Sequence, residues 1–285
     1  MYQINKEFLA VPVTALHFCE DVLLSGEGSH VLVYDYVTNE HLSNVEVFRA
    51  ANVHGIISNW IWAVHWICEG HSDVDDGEHS LPQQLAAALG HNVVVLLDTT
   101  TGNILQEVHC EDKCILYSAH FVGSQWRHLV LAAGTVFNQV VIWPVALTDL
   151  GQAQVRSKAS ILSESVVAKV IHRLERHQGV IFSITTHAAR QLLCSVSDDR
   201  SVHLWKVNSD LTDLDLSDWT ISNWVRATFD LIHILYGHTA RVWQAVLLGN
   251  GLVSVGEVSV CMCRVQHKPT FTHTHTHTHT HTHFM

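Results

Sequence analysis

The chain is poor in proline, with four in 285 residues, and has no long Pro/Ser tract, which argues against extensive disorder. No apolar run approaches the roughly 18 residues that a membrane span requires. The first residues (MYQINKEFLAVPV) lack the basic lead and long apolar stretch of a signal peptide. The expectation is an intracellular, cytoplasmic protein with no membrane contact. Cysteine is too sparse and irregular for a disulfide framework: there are seven, an odd number. Cys110 with Cys114, or Cys261 with Cys263, could share a metal. Neither pair has a second pair at zinc-site spacing, so they read as reduced thiols and no metal site is expected. Nor is there a Gly-rich strand–loop–helix segment of the kind that cradles nucleotides or S-adenosylmethionine.

Basic residues are nearly missing from the first third. Residues 1–100 hold 13 acids and 2 bases, whereas residues 101–285 hold 14 of each. A surface of that sign repels phosphate, so the N-terminal third is a poor candidate for nucleic-acid contact. It reads as a solvated acidic face, with docking to a basic partner as the alternative.

What is present is an apolar share of 47%, enough for a substantial core, and a succession of short β-rich runs. The clearest stretch is His177–Lys206 (HQGVIFSITTHAARQLLCSVSDDRSVHLWK). It reads as strand Val180–Thr185, strand Gln191–Ser195, a tight turn at Asp198-Asp199-Arg200, and strand Ser201–Trp205. This is the pattern of a WD repeat. A His before the first strand, a Ser on the second, an Asp in the turn and a Trp on the third hydrogen-bond together to hold one propeller blade. His177, Ser195, Asp199 and Trp205 occupy those places, with Ser197 as the rival serine. The same His, Ser and Asp could suggest a hydrolytic triad. The WD spacing already accounts for all three, so no catalytic or cofactor-binding residue is expected.

Similar units follow at blade-like intervals, so the expected fold is all-β: an incomplete WD40-type propeller of about four blades plus part of a fifth. The units fall at about 13–48, 61–108, 114–174, 177–235 and 237–257. Between Phe48 and Ile61 too few residues intervene for another blade, which takes roughly 40 residues. A polar acidic insert, Glu69–Gln84, interrupts the second unit; its DVDDGEH segment is out of register for a calcium loop and reads as a solvated loop. Leu85–Leu89 is Ala-rich but reads as strand from its blade context. In the third unit Phe137 stands where the turn Asp belongs. An outer strand is expected near 168–174, although Val166, Val167, Val170, Ile171 and Leu174 also suit a short helix. The insert Asn208–Phe229 carries Trp219 and Trp224, either exposed partner anchors or residues packed on the blade. The fifth unit opens on Gly237-His238 and fades after Glu257. Val258 takes the place of the turn Asp, and Arg264 that of the Trp.

Residues 258–285 are expected to be a disordered low-complexity tail, ending in six Thr-His pairs from Thr272 to His283. Histidines so spaced could bind metal. The preferred reading is genetic: an ACACAC repeat encodes Thr-His, and GTGAGT, a splice-donor sequence, encodes Val258-Ser259. The chain after Glu257 then reads as translated intron.

From Val13 to Glu257 the chain resembles the N-terminal part of the WD-repeat regulators of tRNA 2′-O-methylation. The resemblance rests on GEGSHVLVYD (26–35), WIWAVHW (60–66), AAALGHNVVVLLD (86–98), NQVVIW (138–143), SDDRSVHLWKV (197–207) and GHTARVWQAVLL (237–248). It implies a non-catalytic scaffold that presents tRNA to an FtsJ-type methyltransferase. That partner transfers methyl from S-adenosylmethionine, a cofactor belonging to the partner, to the ribose of the anticodon wobble nucleotide. Contact with tRNA would lie outside the acidic N-terminal third. The second blade of the family pattern is missing here, the inserts at 69–84 and 208–229 are this chain's own, and the resemblance stops after Glu257. Fold analogy alone would suit a general protein–protein adaptor in signalling or ubiquitin-ligase recruitment.

Overall fold

The computed structural model describes residues 13–47, 61–67, 85–90, 92–112, 114–145, 166–209, 214–249, 251–258 and 260–264. The acidic insert and the Thr-His run lie outside them. Two compact units divide the chain, residues 1–109 with 152–167 and residues 110–151 with 168–285. No helix among the described residues is long and apolar enough to cross a membrane.

Among the described residues the first unit holds two sheets. Strands β1 (Val13–Cys19), β2 (Val22–Glu27), β3 (His30–Asp35) and β4 (Glu40–Glu46) form an antiparallel meander in chain order. Strands β5 (Ala63–Ile67), β6 (Leu85–Gly90), β7 (Val93–Asp98) and β8 (Ile104–Cys110) form another, and β12 (Val166–Ala168) adds a fifth strand beside β8. Apolar residues from both meanders interleave between the sheets: Leu24, Val31, Val33 and Val45 from one, Ile61, Val64, Val95 and Leu97 from the other. Face-to-face stacking is what removes the second face of each sheet from water. The Ala-rich Leu85–Leu89 segment is strand, because β5 and β7 pair with it on both sides.

Among the described residues the second unit holds three sheets. β9 (Leu116–Val122), β10 (Val130–Thr135), β11 (Val140–Pro144) and β13 (His172–Leu174) make the first. β14 (Ile181–His187), β15 (Leu192–Ser197), β16 (Val202–Asn208) and β17 (Thr228–Leu235) make the second. β18 (Val242–Leu248), β19 (Gly251–Gly256) and β20 (Val260–Arg264) make the third. Between the second and third sheets lie Cys194, Val196, Leu204, Val242, Ala245 and Leu252.

The outer strand expected near 168–174 forms as β13 on β11, and β12 pairs beside β8, so the short helix that the spacing also suits is not made. Alternating burial, rather than helical spacing, decides it. Two expectations are corrected. The fifth sheet does not stop at Glu257, since β20 pairs along β19 from Val255↔Val260 to Gly251↔Arg264. The tail therefore begins after a third strand. In that register Leu252 faces Cys263, as Leu193 faces Trp205 in the second sheet, so Cys263 and not Arg264 takes the Trp position. The turn before β20 is one residue shorter than the turn before β16.

The first strands of four of the five described sheets, β1, β9, β14 and β18, share an irregularity. The pairing register slips between Val13 and Ala15, between Ile181 and Ser183, and between Val242 and Gln244; opposite Gly134/Thr135 it skips Tyr117. Each slip is a β-bulge that turns one residue out of the ladder: Thr14, Phe182, Trp243 and Tyr117. Bulges re-aim a side chain at a fixed place.

Candidate functional site

The tightest polar constellation sits at the turn end of the second sheet of the second unit. Asp199 occupies the β15–β16 turn, where its Oδ1 accepts from the Ser201 N–H at 2.9 Å and the Ser201 hydroxyl at 2.5 Å. Arg200 takes a left-handed φ of 67°, closing the turn. The other oxygen, Oδ2, accepts from the Gln178 N–H at 2.9 Å and from His177 Nδ1 at 2.8 Å. With its proton on Nδ1, His177 accepts at Nε2 from the Ser195 hydroxyl, 2.9 Å away. Ser195 in turn accepts from the Trp205 indole N–H at 3.1 Å. One consistent direction of donation thus runs Trp205, Ser195, His177, Asp199. Glycine is required beside it: a Cβ on Gly179 would lie 2.7 Å from the Asp199 nitrogen.

All four sequence-predicted residues meet in this chain of bonds. Ser197, the rival serine, accepts instead from the Asp199 N–H at 3.1 Å. Donation from serine through histidine to aspartate matches a hydrolytic triad. Yet Ser195 is 0% exposed and its oxygen already receives the Trp205 N–H, so no carbonyl carbon reaches it. The arrangement pins turn, strand and indole together.

No motif offset marks His203. It is buried, and its ring lies over that of His177 at 3.6 Å and 8°, with Nδ1 left without a partner. Donor atoms of His177, Asp199 and His203 fall within 4.8 Å of one another, the spacing of a metal cluster. Stacked rings aim their in-plane lone pairs in parallel, however, and both His177 nitrogens and both Asp199 oxygens already carry hydrogen bonds. The three groups form no coordination sphere as arranged.

Electrostatics follow from burial. Burial would raise the Asp199 carboxyl, but the hydrogen bonds from His177, Ser201 and Gln178 overcome it and hold the group well below the usual carboxylate range. His203 is pushed down to about 4, by burial first and then by charge on His177, against a smaller opposing pull from Asp199. A histidine depressed in the fold stabilises it while neutral. Its contribution is therefore complete above 6.5 and is lost as pH falls from 6.5 to about 4. Burial likewise lowers His17, His233 and His238. The expected result is a melting temperature that declines between those pH values, and a shallower decline in His203→Phe, which keeps a stacked ring without a titrating group. Equal slopes in the two proteins would refute the assignment.

The other sheets carry parts of the same device. His238 Nε2 shares a 2.8 Å hydrogen bond with the Ser254 hydroxyl, so the fifth sheet keeps the His and the Ser. In the sheet of β9, β10, β11 and β13 Phe137 replaces the turn Asp, as the sequence indicates, and a second network residue is lost as well. Ala133, by its pairing register, stands where Ser195 stands, and the Trp143 indole nitrogen is buried without a partner. Ala133→Ser supplies the acceptor and is expected to stabilise the protein by about 1 kcal/mol in chemical denaturation; a loss of stability would mean that the hydroxyl does not reach the indole.

Trp219 and Trp224 are not partner anchors. They are 0% and 1% exposed, pack edge to face at 5.1 Å, and sit in one core with Leu216, Ile221, Trp205 and Val207. The insert folds back because a six-residue helix, α1 (Ile221–Arg226), has one apolar face and no independent stability. Cys110 and Cys114 are buried thiols outside any disulfide, and burial pushes Cys110 up to about 11, far from a reactive thiolate.

Antiparallel meanders stacked face to face, one pinned by a complete His–Ser–Asp–Trp network, are WD40-type propeller blades, and the chain is a WD-repeat protein. Its homologues are narrower than the class. The chain is 32% identical over 310 residues to the tRNA (34-2′-O)-methyltransferase regulator WDR6 of Homo sapiens and to that of Mus musculus, with 90% of this chain and 24% of the relative covered. The regulator of the same name from Drosophila melanogaster is 26% identical over 227 residues, covering 80% of this chain and 20% of that protein. The chain thus spans about a quarter of the length of the curated relatives it matches. No family model matches it. In fold it is similar to the computationally designed Ika8 protein, with a TM-score of 0.50, 12% sequence identity, and 89% of this chain and 58% of that chain covered.

Proposed function

We propose that this chain is a blade-bearing part of a non-catalytic, cytoplasmic scaffold that assists 2′-O-ribose methylation of the tRNA wobble nucleotide by an FtsJ-type methyltransferase. The observation that carries the reading is 32% identity along 90% of the chain to proteins named as regulators of that methylation. The buried network supports it from the chemical side: the one His/Ser/Asp set recognised in the sequence is consumed in holding a blade. The methyltransferase supplies S-adenosylmethionine and the methyl transfer, and tRNA meets the scaffold away from the acidic N-terminal third.

The test is purification of the tagged chain from cells, with identification of bound protein and RNA. A tRNA 2′-O-methyltransferase together with tRNA is the expected result. A kinase or ubiquitin-ligase subunit without RNA would replace this reading with that of a general adaptor.

A further inference from the structure

The bulges of the second unit each turn out an aromatic ring. Tyr117, Phe182 and Trp243 stand at equivalent places in β9, β14 and β18, whose sheets are neighbours. Their rings form a row, with centroids 6.2 Å apart between Tyr117 and Phe182 and 4.6 Å apart between Phe182 and Trp243. Tyr117 and Trp243 are each 43% exposed, and Phe182 between them is half-buried. Ile115 and Phe137 add exposed apolar surface beside Tyr117, where the Val136 N–H bonds to the Ile115 carbonyl. Nothing in the fold needs these rings outside. Large rings left in water at the same bulge in three successive sheets mark a binding surface.

Charge at the end of the row selects the partner. The Arg241 guanidinium lies 5.4 Å from the Trp243 ring centroid and is held by Asp198 at 3.5 Å and Glu257 at 3.4 Å. Two half-exposed carboxylates outnumber that one cation, so this end of the row is acidic and repels phosphate. A nucleic-acid stacking surface pairs its rings with positive charge. Aromatic anchors with arginine and few free charges are instead the make-up of a protein interface.

We propose that the Tyr117–Phe182–Trp243 row is a docking surface for a protein segment that places apolar side chains on the rings and a basic side chain against Asp198 and Glu257. Resting on the proposed function, the segment belongs to the tRNA 2′-O-methyltransferase.

The test measures binding of the full chain to the purified methyltransferase that acts on nucleotide 34, and separately to the anticodon stem-loop of its tRNA. Variants are Tyr117→Ser/Trp243→Ser, which removes two exposed rings and spares half-buried Phe182, and Tyr117→Phe/Trp243→Phe, which keeps the rings. The expected result is enzyme affinity weakened at least about tenfold in the serine pair, retained in the phenylalanine pair, with stem-loop binding unchanged. Equal enzyme affinity in the serine pair overturns the surface and leaves the proposed function standing. Loss of stem-loop binding with enzyme binding intact overturns it in favour of RNA. A parent chain that does not bind the enzyme defeats the proposed function, and this surface assignment with it.

Discussion

Trp224→Ala is expected to lower unfolding stability by about 3–5 kcal/mol, the range for truncating a fully buried tryptophan. The ring is 1% exposed and fills the space between β16, the 3-10 turn Leu216–Asp218 and Trp219. Its loss leaves a cavity whose walls cannot collapse easily, since Trp205 on one side is tied to Ser195 and Trp219 on the other donates to the Leu214 carbonyl at 3.3 Å. The backbone is committed too: His172 bonds to the Trp224 carbonyl at 2.6 Å, tying β13 to α1. Trp219→Ala is expected to fall in the same range. Because the two rings touch, the double variant should cost less than the sum of the singles. Urea denaturation of the full chain measures all three. A loss under about 1 kcal/mol for either single variant would return that ring to the surface and reopen the partner-anchor reading.

These two tryptophans mark where sequence reading stopped. WD spacing made the second sheet of the second unit legible because each network residue has a fixed offset from a turn. It made the unit that opens on Gly237-His238 legible as far as Glu257, through β18 and β19. Within Asn208–Phe229 there is no repeat and no sustained periodicity, and burial of Trp219 and Trp224 depends on a six-residue helix folding back onto the core that β16 helps to build. The partner of His203 was hidden for a different reason. Stacking joins His177, in the segment before β14, to His203 on β16, and nothing in local spacing records which rings meet across a sheet. Ala133 leaves no mark in the sequence because a missing hydroxyl is silent in a strand of apolar residues; the orphaned Trp143 nitrogen reveals it. The aromatic row had the opposite difficulty. Tyr117, Phe182 and Trp243 sit in apolar strand runs, where alternation predicts burial. It takes a bulge, visible only in the pairing register, to turn each of them outward. Fold class was therefore readable from motif offsets, while everything made by a change of register or a distant packing partner was not.

Asp199→Ala is expected to cost about 2–3 kcal/mol, the penalty for leaving buried donors without their charged acceptor. The substitution strips the partner from His177 Nδ1, from the Gln178 and Ser201 N–H groups and from the Ser201 hydroxyl, while the left-handed turn at Arg200 loses the carboxylate that closes it. Stability from this group is present above its ordinary 3.8 and lost as pH falls below it, so the wild-type advantage over Asp199→Ala should shrink in acid. Ser195→Ala breaks the same chain one link further on, removing the acceptor of Trp205 and the donor to His177 in a fully buried site. If the four residues act as one unit, Asp199→Ala and Ser195→Ala combined cost clearly less than their sum, because either one already frees His177 to reorient. Strict additivity in denaturant titrations would mean that the bonds are independent caps on two turns. Trp205→Phe separates packing from polarity: it keeps the ring against Leu193 and loses only the N–H to Ser195, for an expected cost of about 1 kcal/mol. The order Asp199→Ala, then Ser195→Ala, then Trp205→Phe places the energetic weight of the blade at its turn, where the buried charge sits, and leaves the indole as the end of the chain of donation.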